Sequence, residues 1–184
     1  MALAKILGYF FFFYNETILM NLLIKHLTSE HLPEIVQILN YYIKNTAITF
    51  DTEPYTTETR KPWFEQFGLS GRYQCLVAIE DGQIAGYANS SPFRAKRAYD
   101  PSIEVSIYLR HDLHSKGVGT ALYTELFNRI KHENVHRAHA LITLPNDKSI
   151  NLHKKFGFTE VGTLNEAGQK LGQYHSVYLM EKKF

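Results

Sequence analysis

The chain has 184 residues, of which 45% are apolar and 21% charged, with a formal net charge of +2. That length favours one domain, the composition is that of an ordinary globular protein, and so small a charge, with no basic run, argues against nucleic acid as a partner. The single cysteine, Cys75, excludes an internal disulfide and suits a reducing cytosol.

In chain order, ILGYFFFFY (6–14) comes first. It is too short to span a bilayer as a helix, which takes about 20 apolar residues. It has the apolar character of a secretory leader, but no small-x-small cleavage site follows. Residues 1–20 therefore read as an apolar extension ahead of a start near Met20, used as packing or dimer surface, and residues 21–184 as the domain. LLIKHL (22–27) reads as a strand. Thr28 or Ser29 caps a helix in which Leu32, Ile35, Val36, Leu39 and Ile43 keep a helical period, with Pro33 in its first turn. Residues 44–56 read as a loop. Thr56 or Thr57 caps a short helix running through Trp63, Phe64 and Phe67.

YQCLVAIEDGQIAGYANS (73–90) predicts a hairpin turning at Asp81-Gly82, with Cys75 a buried strand residue. A polar loop with aromatics, 91–102, leads to the strand IEVSIYL (103–109). Past HSKGVG (114–119), Val118, Leu122, Leu126 and Ile130 lie in helical register, and Asn134 is expected to end that helix in a left-handed conformation. AHALITL (138–144) is a buried strand. Asn146 or Asp147 caps a helix to about Phe156, and FTEVGTL and YHSVYLMEK give two last strands. The order β-α-α-β-β-β-α-β-α-β-β predicts one α/β (α+β) domain with a mixed sheet.

The turn HSKGVG joins a strand to a helix. Helix N-termini carry unpaired N–H groups and partial positive charge, and glycine lets an anion approach the backbone. Two readings stand at this point: a pyrophosphate cradle aided by His114 and Lys116, or a plain glycine-bearing helix start. A Walker A loop is excluded because no lysine follows Gly119, and the dinucleotide pattern needs a third glycine. HENVH (132–136) fits the zinc-protease pattern H-E-x-x-H, but the apolar helical stripe ends at Ile130, so the two histidines diverge and no metal site is expected.

His114-x-x-Gly117-x-Gly119 resembles the acyl-CoA signature Gln/Arg-x-x-Gly-x-Gly/Ala of the GNAT N-acetyltransferases, with histidine at the first position. LPNDKSINLHKKFGF (144–158) resembles that family's later motif. FDTEP (50–54), FRAKRAYD (93–100), IEVSIY (103–108), LPND (144–147) and AGQKLGQYH (167–175) are similar to the blocks of its phosphinothricin and methionine-sulfoximine acetyltransferases. The resemblance spans about residues 22 to 182. It implies the acyl-CoA N-acyltransferase fold, a single, mostly antiparallel sheet flanked by helices, and acetyl-CoA as co-substrate.

It also implies roles. The strand 103–109 splays from its neighbour, and Ile107, Tyr108 and Leu109 meet the pantetheine. His114, Ser115, Lys116, Gly117, Val118, Gly119 and Thr120 take the pyrophosphate, and Asn146 and Ser149 face the pantetheine arm. Glu104 matches the general base, which needs burial or a water relay to be strong enough. Arg94 matches an arginine suited to an amino-acid carboxylate, whereas Lys96 and Arg97 read as solvated. Phe50 and Tyr99 are candidates for the acceptor wall. His153 stands where much of the superfamily has a tyrosine that protonates the leaving thiolate; an exposed helix histidine is the alternative.

The resulting expectation is a cytosolic, homodimeric enzyme that acetylates the α-amine of a small amino acid or analogue. Other amines (polyamine, aminoglycoside, peptide N-terminus) and a non-catalytic acyl-CoA-binding module are the alternatives. Neither nucleic acid nor membrane is expected as a partner.

Overall fold

The computed structural model describes residues 22–113 and 116–184. The apolar segment 1–20, the domain start at 21, and His114 and Ser115 of the glycine turn lie outside the described residues.

β1 is Leu22–His26. A 3-10 turn, Ser29–His31, follows, and the His31 ring nitrogen accepts the Thr28 N–H at 3.1 Å. It feeds α1, Leu32–Asn45, with proline in the first turn. α1 buries Leu32, Ile35, Val36, Ile38, Leu39 and Ile43, the expected stripe widened by Ile38. α2, Thr57–Phe64, begins at Thr56, whose hydroxyl accepts the Thr59 N–H at 3.2 Å. It ends short of Phe67: the Phe67 N–H bonds the Phe64 carbonyl three residues back, closing a turn where the helix would have continued.

β2 (Cys75–Glu80) and β3 (Gln83–Pro92) form the hairpin, and Asp81 and Gly82 have φ of 50° and 79°, the left-handed pair that a two-residue turn needs. Cys75 is fully buried and burial pushes its thiol up, so it is a strand residue. β4 is Ser102–Leu109, α3 Val118–Ile130, β5 Arg137–Thr143, α4 Asp147–Lys155, β6 Thr159–Lys170 and β7 Gln173–Lys183. The left-handed end expected at Asn134 is not found. α3 stops at Ile130 with Lys131 still right-handed, because the polar run after Ile130 offers no further apolar side chain to hold a turn. Among the described non-glycine residues the positive φ values fall at Asp81, Glu166 and Leu171. Glu133 of the H-E-x-x-H string accepts the Gly71 N–H at 2.9 Å.

The seven strands form one sheet in the order β1-β2-β3-β4-β5-β7-β6. Every pairing is antiparallel except β4 with β5. One face packs on α3 and α4, with Ile103, Val105, Ala138, Ala140, Ile142 and Met180 against Val118, Leu122, Leu126 and Ile130. The other face of β2 and β3 packs on α1, through Val77, Ile84 and Tyr87 against Leu32, Ile35 and Val36. The order of elements is the predicted one, and the sheet is mixed and mostly antiparallel as expected.

Candidate active site

β4 and β5 are joined by three rungs, Ser102 with Arg137, Ile103 with Ala138 and Glu104 with His139. Both strands run on, to Leu109 and Thr143, without pairing further with each other. Their parting opens a cavity of about 250 Å³, lined by Ile107, Tyr108 and Leu109 of β4, Leu141 to Thr143 of β5, and Asn146, Ser149, Leu152 and His153 of α4. The side chains of Ile103 and Val105 face the α3 core. By the two-residue period of a strand, Glu104 faces the other way, at the apex where the strands separate.

The open edge of β4 has a definite set of main-chain groups. The Arg110 N–H bonds Ala85 O of β3 at 2.8 Å. In an unbroken strand the groups of Tyr108 then also turn towards β3, and those of Ile107 and Leu109 towards the gap. Tyr42 of α1 donates its hydroxyl to the Leu109 carbonyl at 2.7 Å, so one of these positions is already taken. Tyr108 contributes its side chain, packed against Tyr42 and Tyr87 with ring centroids at 5.5 Å in each case. Burial pushes the Tyr108 phenol up to about 12.

At the mouth, Gly117 caps α3 with φ 94° and open space where a Cβ would stand. The first helical bond is Ala121 N–H to Gly117 O at 2.9 Å, so the amides of Val118, Gly119 and Thr120 point out of the helix end. Val118 and Gly119 are buried and Lys116 is exposed. Val118 can therefore offer a ligand its amide but not its side chain, which belongs to the core. Gly119 has a structural reason of its own: a Cβ there would meet Ile107 and Leu152 side chains at 3.4 Å. An apolar slot ending at an open helix N-terminus fits a thioester-bearing chain with a diphosphate at its far end.

α4 closes the slot. Asn146 is its N-cap and its Oδ1 accepts the Ser149 N–H at 3.2 Å. His153 is buried, not the exposed helix histidine entertained from sequence. Its Nδ1 donates to the Ser149 carbonyl at 2.8 Å, which leaves Nε2 to accept the Tyr123 hydroxyl at 2.9 Å. Burial lowers its pKa, so the ring is held neutral with both nitrogens engaged.

On the sheet face away from α3, burial raises the Glu104 carboxyl above its ordinary value and the charge of Arg94 opposes that rise. Arg94 is exposed, and its guanidinium lies 4.4 Å over the Phe93 ring. Tyr99, 43% exposed in a 3-10 turn Arg97–Tyr99, stands edge-on to Phe93 at 6.0 Å. Lys96 and Arg97 are exposed. Phe50 is 38% exposed and its ring lies against Gly168 of β6.

Sequence reasoning passed over several residues here. Lys170 of β6 is 5% exposed, and its Nζ donates to the Thr49 carbonyl at 2.6 Å. Gly168 makes room for Phe50. Tyr123 holds His153. His139 completes the last rung beside Glu104. The one local signal was at His139, an imidazole between two alanines in a buried strand; the others depend on contacts across the fold.

A model of the acetyltransferase (GNAT) domain family matches residues 24–178. The phosphinothricin N-acetyltransferase of Streptomyces coelicolor is 43% identical over 155 residues, covering 83% of this chain and 91% of that protein. The L-methionine sulfoximine/L-methionine sulfone acetyltransferase of Pseudomonas aeruginosa is 32% identical over 151 residues, covering 82% and 87%. Among solved structures, a phosphinothricin acetyltransferase from Sinorhizobium meliloti in complex with AcCoA superposes with a TM-score of 0.84 at 28% identity, over 90% of this chain and 89% of that one.

Proposed function

We propose that this chain, which belongs to the GNAT acetyltransferase family, acetylates the α-amine of a small amino acid or analogue of the phosphinothricin or methionine-sulfoximine kind, with Glu104 as the base. The observation that carries this reading is the place of Glu104. It is the last rung before β4 and β5 part, its carboxyl is largely withdrawn from water, and the Arg94 charge acts on it.

Acetyl-CoA, the co-substrate of GNAT acetyltransferases, supplies an activated acetyl thioester when bound. In our reading the amides of Val118, Gly119 and Thr120 hold its diphosphate. The open main-chain groups of Ile107 and the N–H of Leu109, whose carbonyl Tyr42 already occupies, hold its pantetheine with Asn146 and Ser149 opposite. His114 and Ser115 belong to the same turn, and Lys116 adds charge at its rim. Arg94 takes the acceptor's carboxylate, and Phe50 and Tyr99 wall its side chain. An α-ammonium must lose a proton before its nitrogen can attack; Glu104 takes that proton, directly or through one water, and its raised pKa makes it a stronger base than an exposed carboxylate. His153, with both nitrogens engaged, holds the α4 wall of the slot instead of giving a proton itself.

A homodimer belongs to the same reading. Val161, Leu164, Leu171 and Tyr174 expose apolar surface along the last hairpin, at the edge of the sheet. A cytosolic setting suits the reduced, buried Cys75, and the role is detoxification of, or resistance to, toxic amino-acid analogues.

The test is a panel of amines incubated with acetyl-CoA, following thiol release. Turnover of L-methionine sulfoximine, L-methionine sulfone or phosphinothricin is the expected result. Polyamines or aminoglycosides reacting while these are ignored would overturn the reading, and acetyl-CoA binding with no acceptor turned over would favour a non-catalytic module.

A further inference from the structure

We propose that His139 is a positioning residue for the acceptor: its imidazole is the platform on which Phe93 rests, and through Phe93 it sets where Arg94 stands relative to Glu104. The inference rests on the reading of Arg94 as the carboxylate holder and adds to it the element that fixes that arginine in space.

The argument starts from register. His139 pairs with Glu104 across the last β4–β5 rung, and with Glu181 across β5–β7. Its neighbours Ala138 and Ala140 belong to the α3 core, so the imidazole lies on the opposite face, beside Glu104. That face is the one the acceptor approaches. Phe93 covers the ring: the two are stacked with centroids 4.0 Å apart and planes 20° from parallel. The same Phe93 ring carries the Arg94 guanidinium at 4.4 Å. Imidazole, phenyl ring and guanidinium thus form a continuous contact from the sheet to the exposed arginine.

The loop has few other fixings near its start. Residues 94–100 are exposed. Among the described residues its main-chain bonds are local, Tyr99 N–H to Lys96 O at 2.9 Å and Asp100 N–H to Arg97 O at 3.0 Å, and Arg72 reaches the Asp100 carbonyl at its far end. The backbone leaves the sheet at Pro92, still paired with Ile103, and past that point the stack on His139 is the contact that sets the direction of the Phe93 side chain. An arginine side chain left unguided samples many rotamers, and restricting it beforehand lowers the entropy lost when a carboxylate binds.

The surroundings keep the platform neutral. Burial lowers the His139 pKa, and the charges of Arg137 and Arg94 act in the same direction, while Glu181 opposes them. Burial is the largest of these influences and Glu181, whose Oε1 lies 2.7 Å from Arg137 Nη1, the next, so the net direction is downward. A neutral ring stacks on Phe93 without desolvating a second cation beside Arg94.

The test compares His139→Ala and His139→Phe with the parent enzyme, using L-methionine sulfoximine and its α-amide as acceptors. His139→Ala is expected to raise the KM for the free acid about five- to tenfold, the size of one lost aromatic stack. The KM for acetyl-CoA and kcat should stay within about twofold. His139→Phe keeps a flat ring under Phe93 and should recover most of the KM, and neither variant should change the KM for the amide. An unchanged acid KM in His139→Ala overturns the proposal. So does a His139→Phe variant whose kcat collapses, since that would make the imidazole a proton carrier. Arg94→Gln separates the two levels. If it leaves the preference for acid over amide intact, the carboxylate reading fails. If it abolishes that preference while His139→Ala does nothing, that reading stands and the platform falls.

Discussion

Gly168→Ala adds a single methyl group at a position with ordinary backbone angles, so its effect is steric alone. A Cβ there would lie 2.6 Å from Phe50 Cζ and nearer still to Cε2, against 3.4–4 Å for an ordinary contact. The Phe50 ring must therefore retreat by about an ångström or rotate outwards, which its 38% exposure permits. The fold should survive, because the ring can move into solvent without opening the core. The acceptor wall should not. A phenylalanine offers about 200 Å² in all. If the acceptor covers about a quarter of that, losing the contact costs about 1.2 kcal/mol at 25 cal/mol per Å², or about eightfold in acceptor KM. Steady-state kinetics with L-methionine sulfoximine reads the change, and the acetyl-CoA KM serves as the internal control. Phe50→Ala should give a similar rise, and the double variant should be no worse than Phe50→Ala alone, because both changes remove one interaction. An acceptor KM that stays put in a folded Gly168→Ala protein would refute the assignment of Phe50 to the pocket wall.

Glu104→Gln should lower kcat by about 10²–10⁴ while isothermal titration still detects acetyl-CoA binding. It should also raise thermal stability at neutral pH. A carboxyl whose folded pKa is raised loses stability as pH climbs from its ordinary value through the folded one, so the advantage of glutamine should fade in melting curves taken below that window. Arg94→Gln removes the charge that holds the Glu104 pKa down, so the acid limb of the kcat/KM profile should move to higher pH; a limb that stays fixed would detach Glu104 from the rate. Gly117→Ala meets no neighbouring atom but forces a side chain to φ 94°. It should cost about 1–2 kcal/mol, seen as a melting point lower by a few degrees, together with a raised acetyl-CoA KM.

Where the sequence was legible, the signal was local. Asp81-Gly82 announced the hairpin because few residue pairs accept two positive φ values in succession. The α1 and α3 stripes announced themselves by period. Glu104 was visible as a carboxylate between Ile103 and Val105. The last hairpin was not legible to its full extent. β6 runs on to Lys170 through bulges at Glu160/Gly162 and Leu164/Gly168, which break the alternation a reader relies on. Beyond its pairing with β7, that extension is tied down by Lys170 on the Thr49 carbonyl and Gly168 under Phe50, partners more than a hundred residues away. An exposed histidine stayed open as the alternative for His153 because Tyr123, which packs on it, is on a different helix. His139 stood out only as an imidazole between two alanines; its meaning comes from the neighbour the register assigns to it.

The three rungs between β4 and β5 have a mechanical consequence. Among the described residues they form the one parallel seam, with β1 to β3 fastened to one side and β7 and β6 to the other. Half of this seam was left unstitched, and a bound pantetheine would act as the missing thread. Occupancy should then tighten the whole β-layer sideways, adding about 2.7 kcal/mol at a hundredfold excess over Kd. Slowed amide exchange at Ile107 and Leu109, and along β5 beyond His139, would record that closure.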